Sequence, residues 1–250
     1  MLVPNPIIEL VLQRLIQLIL SIALSGSAVA DQRAANTGAP NALPNASQGQ
    51  SARPQPSDRI DRPTSDPYTG SLSIFEDPKR AERLQVDRVM EILGIKEGSS
   101  VADIGAGSGW FTVRAAKRAG TGGTVFAVEI NKEYLQHIEK RSQSENLPNI
   151  RAILGKEDDP LLPEKSVDAV LLLKTYHEVK EPVRLLKKTR AAMRPGARLG
   201  IIDREGKGSD HGIAQDTVIQ EAERAGFVLV EEHDFVKADN VDYFLVFRVR

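Results

Sequence analysis

The stretch "VADIGAGSGWFT", residues 101–112, passes from an apolar, strand-like run into a glycine ladder, Gly105, Gly107 and Gly109, that ends on Trp110. Glycines in a turn after a strand let the chain bend sharply and let a ligand approach the backbone, while the following helix offers free N–H groups at its start. Such a turn points to a nucleotide, and its surroundings decide which kind. A dinucleotide fingerprint needs G-x-G-x-x-G, whose third glycine admits close helix–strand packing. Here that position is Trp110. A P-loop needs Lys followed by Ser or Thr after its glycines, and "GSGWFT" (107–112) has neither. Both phosphate readings are weak.

Two acids flank the ladder. Asp103 stands two residues before the first glycine, and Glu129 closes the next apolar run, "VFAVEI" (125–130). A carboxylate at the tip of a second strand lies where ribose hydroxyls fall, and it accepts hydrogen bonds from a 2′,3′-diol. Asp103 is placed to meet a cationic amino group. A ligand with a ribose, an ammonium and no phosphate suits both acids, and S-adenosylmethionine is such a ligand.

Outward from the ladder, apolar runs alternate with helical patterns. Strands are expected at 100–104, 125–128, 150–154, 168–173 and 199–202, with helices at 111–119, 131–145 and 181–193 between them. A further helix over 77–95 opens with Asp77 as N-cap and Pro78 at its first position. Short apolar runs separated by helices mark a parallel sheet covered on both faces. The C-terminal end breaks the rhythm: a helix over 213–225, then strands at 227–235 and 243–249 joined by the polar "KADN" (237–240). Strands joined this closely pair antiparallel. The fold class is therefore α/β, a doubly wound, mostly parallel seven-stranded sheet that finishes in an antiparallel hairpin.

At this point the chain resembles the class I S-adenosylmethionine-dependent methyltransferases, and their small-molecule, quinone C-methyltransferase branch in particular. "VADIGAGSG" (101–109) resembles motif I and "VFAVEI" the acidic second-strand motif. "LPEKSVDAVLLLKTYHEV" (162–179) resembles the fourth-strand region, and "LLKKTRAAMRPGARLGIID" (185–203) the segment with L-x-P-G-G, Arg194-Pro195-Gly196-Ala197 standing in for its close. The resemblance covers about residues 77–250. It implies a Rossmann-like methyltransferase fold, S-adenosyl-L-methionine as cofactor, and a cofactor site at Asp103, Gly105, Ala106, Gly107, Gly109, Glu129, Ile130 and Lys174. In many relatives an Asp after the third strand meets the adenine amino group. Here that segment is "GKEDDP" (155–160), with Lys156 at the Asp position, and Glu157 or Asp158 takes the role, with Asp158 preferred.

The resemblance also places the methyl acceptor near the end of the fourth strand, at "KTYHEV" (174–179). Methyl transfer is an in-line displacement at a carbon that the sulfonium already activates, so alignment carries much of the catalysis. A base is needed only where the nucleophile must lose a proton. His177 is the candidate base by its intrinsic pKa, and Tyr176 the residue to orient an acceptor oxygen or line the pocket. His211, in "GSDHGI" (208–213), and Asp203, ending the fifth strand, are further candidates. The four histidines lack metal-ligand spacing, so no metal is expected. The acceptor is expected to be a small molecule. Basic stretches such as "RLLKKTR" (184–190) lie on helix faces, and no basic stripe interleaved with aromatics supports nucleic-acid binding. Rival readings are a catalytically inactive exported binding protein that keeps the nucleoside pocket, and a nicotinamide-dependent oxidoreductase, against which Trp110 argues.

Composition sets the remaining bounds. The 250 residues are 41% hydrophobic and 27% charged with a formal net charge of −1, so a real core is available and no global field recruits a charged partner. No cysteine is present, which excludes disulfides, thiolate zinc sites and a cysteine nucleophile. Residues 1–30 carry "LIQLILSIALSGSAVA" (15–30), an apolar run after Arg14 that closes on Ala28-Val29-Ala30, the pattern of a signal-peptidase site. Export with cleavage near Ala30 is expected; the alternative is a membrane anchor over 15–30, with transient membrane contact through this segment. Residues 31–70, rich in Pro, Asn, Ser and Gln, read as a disordered linker, and 71–250 as the methyltransferase domain.

Overall fold

The structure, a computed structural model, describes residues 58–60, 62–236 and 242–250. The expected leader over 1–30, most of the linker and the "KADN" connection lie outside the described residues. Among the described residues no helix is long and apolar enough to cross a membrane.

The elements follow the order α1 (Arg80–Arg83), α2 (Val86–Ile92), β1 (Ser100–Ile104), α3 (Trp110–Ala119), β2 (Thr124–Glu129), α4 (Lys132–Ser144), β3 (Ile150–Leu154), β4 (Val167–Leu173), α5 (Pro182–Ala192), β5 (Met193–Arg204), α6 (Gln215–Arg224), β6 (Phe227–His233) and β7 (Asp242–Val249). Short 3₁₀ turns occupy Leu72–Phe75 and Tyr176–Glu178. The seven strands form one sheet in the order β3-β2-β1-β4-β5-β7-β6. The first five are parallel, and β7 pairs antiparallel with both β5 and β6. The doubly wound sheet and its antiparallel ending are as the sequence pattern implies.

Both faces of the sheet are buried, and the pleat explains how. Along β4, Leu171 and Leu173 join one core with Trp110, Phe111 and Ile138, while Val170 and Leu172 join the other with Leu186, Leu199 and Phe227. Alternate side chains of a strand point to opposite faces, so a continuous apolar run feeds both layers. Helix starts follow local chemistry. The Asn131 side chain accepts from the backbone N–H groups of Glu133 and Tyr134 at the head of α4, and Pro182 opens α5.

Most boundaries fall within two residues of expectation, and three differences are larger. The helix expected over 77–95 is two, α1 and α2, broken at Gln85, whose φ is 45°. Leu84 and Val86 are both buried, and residues two apart point to different sides of one helix, so the break turns both inward. Strand β5 starts at Met193 rather than 199, because Met193 pairs with Val167 across a register shift ahead of Ala169. The apparent turn at Arg194-Pro195-Gly196 therefore runs within the strand. Residues from 58 to 70, given to the linker by composition, hold bonds to the domain: Arg62 pairs with Glu221 at 2.7 Å, and Ser65 is 4% exposed. Polar bonds secure much of this segment, with Ile60 packed against the core beside them, and a composition poor in large apolar residues does not register such bonds.

The topology also fixes where a ligand goes. From β1 the strand order runs one way to β2 and β3 and the other way to β4 and β5, so the carboxyl ends of β1 and β4 flank a topological switch point. Open α/β sheets bind ligands in that crevice.

Candidate functional site

A cavity of about 660 Å³ opens at the switch point, lined on one side by Gly105, Ala106, Gly107, Glu129 and Ile130, and on the other by Lys174, His177 and Glu178. That volume is ordinary for a small-molecule site. The glycine turn has the backbone its residues demand, with φ of 75°, 55° and 75° at Gly105, Gly107 and Gly109. A Cβ on Gly105 would lie 2.4 Å from Oγ1 of Thr175, so the close approach of the β1 and β4 loops requires glycine there.

The hydrogen bonds of this turn decide what it can hold. The N–H groups of Gly105 and Ala106 both donate to the carbonyl of Val128, and that of Gly109 to Ala106. The Gly107 N–H donates to Oε2 of Glu129 at 2.9 Å. The turn's N–H groups at Gly105, Ala106, Gly107 and Gly109 are thus committed within the protein, and a buried carboxylate faces the same space. Trp110, at the third-glycine position, is buried with Arg114 stacked 3.8 Å over its ring and Arg80 4.6 Å over it. A dinucleotide geometry is not built here.

A phosphate-free nucleoside fits better. Oε1 of Glu129 accepts from the N–H groups of Ile130 and Asn131, which fixes the carboxylate at the tip of β2. Three of its roughly four acceptor positions are filled by backbone donors, and one stays open to a hydroxyl. Ile130, 42% exposed, presents an apolar side chain to the cavity beside it. Asp103, 2% exposed, accepts from the Thr112 hydroxyl at 2.6 Å. Burial raises its pKa to about 6, against the opposing pull of Thr112 and Arg80. Arg80, which no sequence motif marked, also lines the cavity, and burial lowers its pKa to about 10. An acid and a base side by side suit a zwitterion.

At the other end, His177 and Asp203 form a buried pair. Nδ1 of His177 lies 2.8 Å from Oδ1 of Asp203, and the His177 backbone N–H donates to Oδ2. Because Asp203 also accepts from the Arg204 N–H, it is surrounded by donors. This assigns the proton to Nδ1 and leaves Nε2 with a lone pair. Glu178 stands beside it, its pKa raised to about 7 by burial against the opposing influence of His177. His211 lies across the cavity mouth, its ring edge-to-face with His177.

The other candidates are placed as follows. Gly105, Ala106, Gly107, Glu129, Ile130 and Lys174 line the cavity together with Asp103 and His177. Lys174 has φ of 56° and its ammonium pairs with Asp242, which draws its charge toward β7. Gly109 caps α3 behind the cavity wall. Asp158 pairs with Arg184 at 3.0 Å and is not on the wall, whereas Lys156 and Glu157 are. Tyr176 is not brought to the cavity either. It is fully buried, its hydroxyl donates to Oε2 of Glu221 at 2.8 Å, and its pKa is pushed well above the phenol's usual value by burial. It anchors the loop after β4 to α6.

Sequence reasoning missed Ser65. Its N–H donates to the His177 carbonyl, its hydroxyl to the Gly208 carbonyl, and its Oγ accepts from the His211 N–H. One serine in a polar segment thus ties together the loops that carry both histidines.

A switch-point crevice with an acid at the tip of β2, over a seven-stranded sheet whose last strand runs antiparallel, defines the class I methyltransferase fold. Comparison with known proteins agrees. Residues 101–196 match the model of a methyltransferase domain family. An uncharacterized methyltransferase of Mycobacterium tuberculosis is 36% identical over 102 residues, covering 41% of this chain and 38% of the relative. A demethylmenaquinone methyltransferase of Bacillus velezensis is 25% identical over 113 residues, covering 45% of this chain and 48% of the relative. The chain thus spans less than half the length of each. The crystal structure of a SAM-dependent methyltransferase from Aquifex aeolicus superposes with a TM-score of 0.66 at 24% identity, over 72% of this chain and 97% of that one. The class implies S-adenosylmethionine as cofactor.

Proposed function

We propose that the protein transfers a methyl group from S-adenosylmethionine to a small-molecule acceptor. The observation that carries this is the pairing of a diphosphate-hostile glycine turn with the Glu129 carboxylate fixed at the tip of β2. Glu129 would hold the ribose diol, Ile130 would pack on the base, and Asp103 and Arg80 would face the ammonium and carboxylate of the methionine part. When bound, the cofactor supplies an activated methyl group. The chain's share is to align the acceptor with it and keep water out.

His177 is the residue we place at the acceptor. Asp203 fixes its ring so that Nε2 is free to take the acceptor's proton, where the nucleophile has one to lose. The quinone methylation named for a relative supports a small apolar acceptor, and the apolar residues Ile74, Phe75 and Val179 on the cavity wall are compatible with one. Export remains part of the proposal, on the apolar run and A-x-A pattern before Asp31.

Calorimetric titration of the purified chain with S-adenosylmethionine, S-adenosylhomocysteine and NAD tests the cofactor. Saturable binding of the first two is expected, and preference for NAD would overturn the reading. Formation of S-adenosylhomocysteine across an acceptor panel then separates an enzyme from a binding protein.

A further inference from the structure

The acceptor end of the cavity brings the neighbouring His177 and Glu178 together with a third metal-ligand side chain, His211, from a loop more than thirty residues further along the chain. His177, Glu178 and His211 each offer one ligand atom, and these atoms lie within 4.8 Å of one another. Nε2 of His177 is 3.8 Å from Oε1 of Glu178, and the two imidazole centroids are 5.9 Å apart. We propose that this trio binds a divalent first-row transition cation, with Asp203 as the outer partner that orients His177.

The chemistry of the donor set supports this. Two imidazoles and one carboxylate favour such cations over magnesium or calcium, which take oxygen. A ligating histidine almost always gives its other ring N–H to a carboxylate, which fixes the tautomer and raises ligand basicity. Asp203 is completely buried and does this for His177 at 2.8 Å. Glu178 also takes a backbone hydrogen bond from Tyr68.

Backbone geometry shows how His211 is positioned. His211 has φ of 57°, a left-handed conformation that is uncommon for a residue with a side chain. Ser65 holds it by accepting from the His211 N–H at 3.0 Å. The neighbouring Gly208, with φ of 96°, has room for no side chain, since a Cβ there would lie 2.0 Å from the Pro63 carbonyl. The loop is thus tied down where it presents its histidine to His177. Donors of a bound ion stand about 2.0–2.2 Å from it, so the trio must close inward, and the exposed His211 imidazole can turn toward the other two ligands while its backbone stays held by Ser65. The same exposure leaves coordination positions for water or an acceptor.

This inference rests on the proposed function only for what the cation would do. With the ion bound, His177 is a ligand rather than a base, and the acceptor class narrows to molecules with an oxygen donor, such as an enol, phenol or carboxylate, that the cation can orient. Binding of the ion itself does not depend on methyl transfer.

The test titrates Co²⁺ into the purified, metal-stripped full chain, followed by its visible absorption bands and by calorimetry. A one-to-one isotherm is expected. His211→Ala and Glu178→Gln should each weaken it at least tenfold, and Asp203→Asn by about 10–100-fold. His137→Ala, on the exposed face of α4, should leave it unchanged. No saturable binding, or wild-type binding by a folded His211→Ala, would overturn the proposal. His211 is exposed, so its loss should not unfold the chain, and circular dichroism verifies that. Titration of the same samples with S-adenosylmethionine keeps the two ideas apart. Co²⁺ binding without cofactor binding defeats the methyl-transfer reading alone, and the reverse defeats the cation site alone.

Discussion

Asp203 Oδ1 sits 2.8 Å from Nδ1 of His177, and this contact bridges the ends of two neighbouring strands, β4 and β5. Around the same carboxylate stand the backbone N–H groups of His177 and Arg204, so each partner is a donor. An amide in this position must turn its own NH₂ toward at least one of those donors. Asp203→Asn is therefore expected to cost about 1–3 kcal/mol of stability, the penalty of a buried polar group left unpaired. Urea unfolding of the two proteins checks it; an unchanged midpoint would mean that the pair is loosely held.

Glu129 binds three backbone N–H groups and, in the proposed role, the ribose. Glu129→Ala should weaken S-adenosylhomocysteine binding by about 10–100-fold, the equivalent of one or two charge-assisted hydrogen bonds. The measurement is calorimetry well below the melting temperature, because the freed turn also loses stability. Equal affinity in variant and wild type would remove the ribose role.

Asp103 gives the domain a pH dependence of known sign. Its folded pKa lies near 6 against an ordinary 3.8, raised chiefly by burial. Below about pH 4 the acid is neutral in both states. Between about pH 4 and 6 the unfolded chain ionises and the folded one keeps its proton, so stability falls as pH rises through that window and then levels off. The full effect is on the order of 3 kcal/mol. Asp103→Asn removes it. The stability of the variant relative to wild type should thus increase from pH 4 to pH 7, whatever constant offset the amide adds. Melting curves at both pH values decide the matter, and a difference independent of pH would show that Asp103 is not held as the structure has it. A carboxylate kept at this cost, in a cavity wall, is what a ligand ammonium would repay.

The parts of this architecture that could be read in the chain are those set by local pattern. Strand runs such as 100–104 and 150–154 fall where the structure has them because continuous apolar residues between glycine-rich or polar turns leave few alternatives. Glu129 and the glycines were legible because backbone conformation and one charge at a strand tip are sequence-local. The histidine cluster was not. His177 and His211 lie on loops after different strands, and only the β4–β5 pairing and Ser65 bring them together. Tyr176 misled for a related reason. It neighbours His177 in sequence, but consecutive residues of a tight turn point in different directions, and its hydroxyl finds Glu221 instead. Arg80 was hidden because its guanidinium reaches the cavity from an N-terminal helix of only four residues.

The proposed export is tested by sequencing the N-terminus of the protein made in a secretion-competent host. Cleavage after Ala30 predicts a mature chain beginning at Asp31. A product that starts at Met1 and stays with the membrane fraction would support the anchor instead.

The last relationship joins the N-terminal segment to the site. Arg62 pairs with Glu221 at 2.7 Å, side chains 11% and 5% exposed, and Tyr176 donates to the other oxygen of the same carboxylate. Removing one member of a buried pair leaves a charge without compensation, at a cost of about 3–5 kcal/mol, whereas replacing both with apolar residues of similar volume is often neutral. Arg62→Met should therefore destabilise strongly, and the double variant Arg62→Met, Glu221→Leu should recover most of that loss, less about 1–2 kcal/mol for the stranded Tyr176 hydroxyl. Thermal unfolding of the two variants supplies the check. Because the segment that carries Arg62 also carries Ser65, whose bonds hold both histidine loops, Arg62→Met should in addition loosen the cavity mouth. Proteolysis of the native protein near residues 62–70 would report that as faster cleavage, while equal cleavage rates would show that Ser65 holds the strap alone.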